Sequence, residues 1–382
     1  MLLIKNGHIK TMAGPDVEKG CVLIGDDGKI VAVGAEVEAP ADCRVIDAEG
    51  RLVTPGLVEG HSHIGLTSED YLPSGSNESS DPFTPQVRAI DGIYPQDSAF
   101  PVALQGGVTA ACTGPGSANI VGGTFAVIKL AGKRIDDMIV KHPAAMKCAF
   151  GENPTKQYGG TQKKAPKTRM AVASMFREFL FKAKAYAEAK DAGETPKFDM
   201  KLEAMEPVIR GQLPLKIHTH RIDDIFTAIR IVKEFGLKAT LDHCTEGAAI
   251  AEELAQEGLP VLIGPTFGKR TKQELGGKSF ATAGILHKAG CKVCIVSDGP
   301  GVTPMQYLGL YAGISVAEGL PMEEAWRGIT IYPAQVLGVE NRIGSLEPGK
   351  DADVVIWTAD PLTAVGAKAY MTLVDGKIVH QL

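Results

Sequence analysis

The sequence predicts an α/β fold: a (β/α)8 TIM-like barrel joined to a small β-sandwich assembled from both chain ends. Three observations predict it. Across residues 55–341, short apolar strands alternate with segments of helical period, the pattern of a parallel sheet faced by helices. Residues 1–54 and 342–382 are instead dense in short strands and turns, and neither piece is large enough to fold alone. The length of 382 residues suits one such barrel, which needs about 250 residues, with the remainder left for a second unit.

In chain order, Leu2–Lys5, Gly20–Gly25, Lys29–Gly34 and Arg44–Asp47 read as strands, broken by turns at Gly25-Asp-Asp-Gly28 and Ala48-Glu-Gly50. Thr54-Pro-Gly56 then marks a boundary. The barrel strands are expected at Leu57–Ile64, Val108–Cys112, Phe125–Leu130, Met146–Phe150, Leu215–His218, Ala239–His243, Val261–Ile263 and Lys292–Ser297. Helices fit Ala171–Ala192, Asp199–Arg210, Ile222–Phe235, Glu246–Gln256, Phe280–Ala289, Thr303–Glu318 and Pro321–Ile331. The Gly-rich stretch between Cys112 and Phe125 is short for a crossover helix and is the weakest part of the barrel pattern. Residues 67–85, rich in Ser, Asn, Asp and Pro, read as an active-site loop. At the far end Asp353–Trp357, Ala369–Val374 and Lys377–His380 return to strands, with a hairpin turn at Asp375-Gly376.

Composition excludes several functions. A net charge of −5 without a basic block argues against nucleic acid as the main partner. No apolar run is long enough to span a bilayer, and the first residues lack the features of a signal peptide, so a cytoplasmic protein is expected. Seven scattered cysteines do not form a disulfide framework. Cys291 and Cys294 match C-x-x-C, but on a strand that odd spacing sends the thiols to opposite faces, so both read as core.

The chemistry sits where strands end, at the mouth of a parallel barrel. His61 and His63 close the first strand, and period-2 geometry puts both imidazoles on one face. Lys147 and Glu152 accompany the fourth strand, His218 and His220 end the fifth, His243 the sixth and Asp298 the eighth. One histidine alone reads as an ordinary core or surface side chain; five at strand ends, with acidic residues, read as a convergent metal site. His8, His142, His287 and His380 lie off these ends and take no role.

Pro55-Gly-Leu-Val-Glu-Gly-His-Ser-His resembles the first-strand signature of the amidohydrolase superfamily. His218, His243 and Asp298 follow in that family's order, and Ile343-Gly-Ser-Leu-Glu-Pro-Gly-Lys-Asp-Ala-Asp-Val-Val resembles its return into the terminal sandwich. Gly151-Glu-Asn-Pro and Ile217-His-Thr-His-Arg-Ile-Asp-Asp-Ile resemble the imidazolonepropionase- and prolidase-like branch. The resemblance implies a metal-dependent hydrolase barrel over residues 55–341, with residues 1–54 and 342–382 forming the composite sandwich. It implies that His61, His63 and Asp298 hold one metal, and that His218 and His243 hold a second or share the first. The fourth-strand ligand would be a carboxylated Lys147 or Glu152, with Glu152 preferred. His220 would replace His218 or contact substrate.

Imidazole and carboxylate donors suit Zn²⁺, one ion or two, with Mn²⁺ or Fe²⁺ compatible with the same set. Such a metal lowers the pKa of its water to about 7. Asp298 would act as general base toward that water and protonate the leaving amine. The expected reaction is hydrolysis of a C–N bond in an amide, cyclic amide or dipeptide-like small molecule. The alternatives are deamination of an amino-heterocycle and a catalytically inactive metal-binding relative. Arg221 would clamp a substrate carboxylate or pair with Asp223 or Asp224, and Tyr158 would line the mouth with Lys156. Lys269 and Arg270 end the seventh strand and read more simply as a solvated turn. A homodimer is the default expectation for such a barrel enzyme.

Overall fold

A computed structural model describes residues 1–68 and 74–382. Part of the loop expected at 67–85 therefore lies outside the described residues. The chain opens with β1 (Leu2–Ile9), β2 (Val17–Ile24), β3 (Ile30–Gly34), β4 (Arg44–Asp47) and β5 (Leu52–Pro55). After Gly56 it enters a second sheet: β6 (Leu57–Ser62), β7 (Val108–Thr113), β8 (Val121–Lys129), β9 (Ile139–Ala149), β10 (Leu215–Thr219), β11 (Ala239–His243), β12 (Val261–Ile263) and β13 (Val293–Ile295). It then returns to the first sheet as β14 (Val354–Trp357), β15 (Ala369–Val374) and β16 (Lys377–Gln381).

The second sheet is a nearly closed eight-stranded barrel with its strands in sequence order. β6 pairs parallel with β7, and β9 through β13 are parallel throughout. β8 departs from the expected all-parallel order, running antiparallel to both β7 and β9. The cause is chain length. Residues 114–120 are too few for the dozen or so that a parallel crossover requires, so the chain reverses directly. Among the described residues no backbone ladder joins β13 to β6. Glu59 bridges that seam instead: its carboxylate accepts from the backbone N–H groups of His61 at 3.0 Å and Ser297 at 2.9 Å, and from the Ser297 hydroxyl at 2.5 Å.

Helices cover the outside of the barrel for the usual amphipathic reason. In Ile222–Phe235 the buried Ile225, Ala228, Ile229 and Val232 fall at i, i+3, i+4 and i+7, and Gly236 ends the helix in the left-handed conformation at φ 64°. The long helix Arg169–Asp191 starts where the Thr168 side chain accepts from the Ala171 N–H. Cys294 lies on β13 but Cys291 precedes it, so strand alternation does not relate them; the two are buried in different apolar clusters. No helix among the described residues is long and apolar enough to cross a membrane.

The strands of the two chain ends form one hydrogen-bonded sheet, ordered β16-β15-β14-β5-β1-β2-β3 with β4 beside β1. Ile30 of β3 and Leu373 of β15 share an apolar cluster with Ile4, Val53 and Ile356, so this sheet folds over on itself. It is tied to the barrel by Lys129, at the last position of β8. The buried ammonium bonds both carboxylate oxygens of Asp353 at 2.7 Å, and lies 3.0 Å from Asp351 and 3.1 Å from Asp375.

Candidate metal centre at the barrel mouth

The inward positions of the barrel strands carry an unusual amount of charge. Register pairs Lys147 with Lys216 and His218 with Asp242, and all four side chains are buried, as are Glu59 and His61. Buried charges persist only when paired or bonded. Lys216 meets that requirement by donating to the Gly60 carbonyl at 3.1 Å and lying 3.2 Å from Asp242.

Above this layer the five strand-end histidines are anchored through one ring nitrogen. Nδ1 of His61 donates to Asp242 at 2.7 Å, that of His63 to the Gly114 carbonyl at 2.7 Å, and that of His243 to the Gly264 carbonyl at 2.6 Å. Nδ1 of His218 meets the Ser117 hydroxyl at 3.0 Å, and that of His220 meets the Thr245 hydroxyl at 2.7 Å. Anchoring Nδ1 leaves Nε2 free as a donor atom, the arrangement that metal-ligating histidines adopt. The rings form one continuous patch, with centroids 5.1 Å apart for His61 and His243 and 4.5 Å apart for His243 and His218.

Two ligand clusters result. In the first, Asp298 Oδ1 lies 3.2 Å from His63 Nε2 and 3.6 Å from His61 Nε2, and Lys147 Nζ lies 3.4 Å from His61 Nε2. In the second, Glu274 Oε1 lies 3.9 Å from His218 Nε2 and 3.8 Å from His220 Nε2. Asp298 Oδ1 and His218 Nε2 are buried without a well-aligned hydrogen-bond partner, a costly state for atoms that nothing else engages. The donor set fits a divalent metal. A cavity of about 370 Å³ opens over both clusters, and Asn77, Asn153, Lys272 and Lys278 also line it.

Local backbone conformation makes the convergence possible. His243 (φ 73°), Cys244 (φ 44°) and Asp298 (φ 57°) occupy the left-handed region, which non-glycine residues seldom adopt. On a regular strand Asp242 and His243 would face opposite sides. The left-handed turn lets both reach the interior.

Burial keeps the imidazoles of His61, His218, His220 and His243 neutral, the form that binds a metal. Burial drives His61, His218 and His220 well below the usual histidine range, and pushes His243 down to about 4. Burial also lowers Lys147 to about 8 and raises Glu59 to about 7. For Asp298 burial opposes the charge, but the close approach of His63 outweighs it and holds the carboxyl below its ordinary range.

Three expected site residues are placed elsewhere. Glu152 belongs to neither cluster: at Gly151 (φ 84°) the chain leaves β9 for the short helix Glu152–Thr155, which takes Glu152 out of the strand's alternation. Its side chain lines a separate cleft with Arg169 and Arg221, and Lys147 is the fourth-strand residue beside His61. Arg221 is largely exposed and forms a two-point pair with Asp223 at 3.0 Å, the simpler of its two expected roles. Tyr158 is buried and does not line the cavity; its one hydroxyl hydrogen is shared between Asn119 Oδ1 at 2.6 Å and the Asp81 carbonyl at 2.8 Å. His220 does reach the cavity. Glu274, Asp242 and Lys216 were not anticipated from the sequence.

The model of the family described as the amidohydrolase family matches residues 52–379. Amidohydrolase tasK of Hapsidospora irregularis is 32% identical over 372 residues, covering 89% of this chain, which spans only 37% of that longer protein. An imidazolonepropionase of Symbiobacterium thermophilum is 27% identical over 413 residues, covering 93% of this chain and 90% of its own. The crystal structure of an amidohydrolase from Thermotoga maritima superposes over the full length of both chains with a TM-score of 0.96 and 40% identity.

Proposed function

The chain belongs to the amidohydrolase family, a family of metal-dependent hydrolases acting on C–N bonds, and on that premise we propose that it cleaves an amide or cyclic amide in a small acidic molecule. The observation that carries this reading is the convergence of His61, His63 and Asp298 on one point, with every imidazole at the mouth held through Nδ1.

His61, His63 and Asp298 would hold the catalytic ion, with Zn²⁺ the first choice for these donors. Lys147 takes the place of Glu152 as the fourth-strand ligand after carboxylation: Nζ bonds the carbon of CO₂ and releases one proton. His218 and His243 complete the set or hold a second ion. When bound, the metal supplies Lewis acidity that polarises a carbonyl and acidifies water. Asp298 accepts a proton from the attacking water at Oδ1 and returns it to the departing nitrogen. Lys278, whose ammonium donates to the Phe267 carbonyl at 3.0 Å, keeps N–H groups for a substrate carboxylate at the cavity wall. The kinship with imidazolonepropionase, named for a ring that carries a propionate, supports an acidic cyclic substrate.

The test is a screen of N-acyl amino acids, dipeptides, hydantoin-like rings and amino-heterocycles, repeated on any hit with Asp298→Asn. Loss of a general base is expected to cost about 10²–10⁴-fold in kcat with the fold intact. Full activity in that variant removes Asp298 from the role. Ammonia as the first product would move the assignment to deamination.

A further inference from the structure

The second cluster, His218, His220 and Glu274, is already filled by a cation from the chain itself. The Lys272 ammonium lies 3.0 Å from Glu274 Oε1, 3.3 Å from His220 Nε2 and 2.8 Å from Asn153 Oδ1. An ammonium has three N–H donors, and these three acceptors satisfy all of them. His220 can accept because its Nδ1–H donates to the Thr245 hydroxyl. Glu274 is fixed from its other side, where Oε2 accepts the Glu152 N–H at 2.8 Å and the Arg169 guanidinium at 3.2 Å. With Oε2 anchored in this way, Oε1 faces the two imidazoles, 3.9 Å from His218 Nε2 and 3.8 Å from His220 Nε2.

Two histidines and a glutamate form an established zinc ligand set. Here the three donor atoms lie within 4.8 Å of one another and are buried. His218 Nε2 points into the group with no hydrogen-bond partner of its own. We propose that Lys272 is a built-in substitute for a metal ion at this second position, and that removing its ammonium converts the cluster into a working site for a divalent transition metal. The charge at this side of the mouth is then covalently supplied and independent of metal supply. His218 Nε2, which Lys272 leaves unbonded, stays available to the catalytic centre. The inference concerns the second cluster, so it can fail while the proposed function stands.

The experiment is metal analysis of purified, dialysed protein after equilibration with Zn²⁺. Lys272→Met is expected to bind about one equivalent more than the wild-type chain, the stoichiometry of one added site. Lys272→Arg, which keeps a cation, is expected to match the wild type. Lys272→Met combined with His220→Ala is expected to lose the added ion. If the Met variant fails to fold, Lys272→Gln replaces it. An unchanged metal count in a folded Lys272→Met or Lys272→Gln protein overturns the inference, as does a gain that survives His220→Ala. Wild-type protein with no metal and a Lys272→Met variant that gains one ion would support the inference while removing the proposed hydrolytic centre.

Discussion

Asp242 never faces the cavity, yet it governs what His61 can do. Its Oδ2 accepts a hydrogen bond from His61 Nδ1–H, which fixes the tautomer and aims the lone pair of Nε2 at Asp298. Burial alone would raise its pKa; Lys216 and His61 overcome that and keep the carboxylate charged. Asp242→Asn keeps the shape and removes the charge, and should weaken metal affinity roughly 10–100-fold. Competition against a chelator measures it, and unchanged affinity would show that His61 needs no such partner. At this scale the histidines and Asp298 were legible because residue type and strand-end position coincide. Asp242 was not, because simple alternation puts it and His243 on opposite faces, and only the left-handed backbone at His243 lets both reach the interior. Glu274 was hidden for another reason. It comes from the turn Gln273–Leu275, in a loop whose sequence has no period to place it.

The ends of β12 and β13 show how little freedom an element can have. Gly264 follows β12 at φ 140°, and its carbonyl holds His243 at 2.6 Å. A Cβ there would sit 1.9 Å from the Val296 carbonyl oxygen. Gly264→Ala is therefore expected to cost roughly 2–4 kcal/mol and to loosen His243 as well. Gly258, at φ 67° with open space around its Cβ direction, is the control, and Ala there should cost only about 1–2 kcal/mol. Urea unfolding of the two variants compares them; equal losses would mean that the collision is relieved by backbone movement. Most helices and strands were legible from periodicity, but the helices Ala99–Gln105 and Ile331–Leu337 and the direction of β8 were not. A short apolar run looks the same read either way, and only the length of the preceding loop bore on the question.

On the scale of the whole molecule, barrel and terminal sheet meet at Lys129. Asp351 is also paired with Lys29 and Arg342, but the buried Asp353 has Lys129 as its ion-pair partner, so Lys129→Met should destabilise the protein by about 3–5 kcal/mol, the cost of a buried charge left unpaired. A midpoint in urea within error of wild type would remove Lys129 from this role. Burial works against the ammonium, but Asp353, Asp351 and Asp375 outweigh it and raise its pKa. Its stabilising contribution is then fully present below the ordinary lysine value of about 10.4 and lost as pH rises through the raised value. Melting temperature from pH 9 to 12 should fall more steeply in wild type than in Lys129→Met. The acid side is less clean, because Asp351 is lowered whereas burial raises Asp353, and the two contributions oppose each other. The joining of both chain ends in one sheet has a consequence for biosynthesis. β5 is made early, but β14, which pairs with it between Pro55 and Val354, is made about 300 residues later. At about 5–20 residues per second the ribosome needs roughly 15–60 s to close that gap. Throughout that interval the nascent β5 presents an open edge to every other chain nearby, the kind of surface that pairs wrongly. Newly made copies are therefore most exposed to aggregation before the final strands emerge.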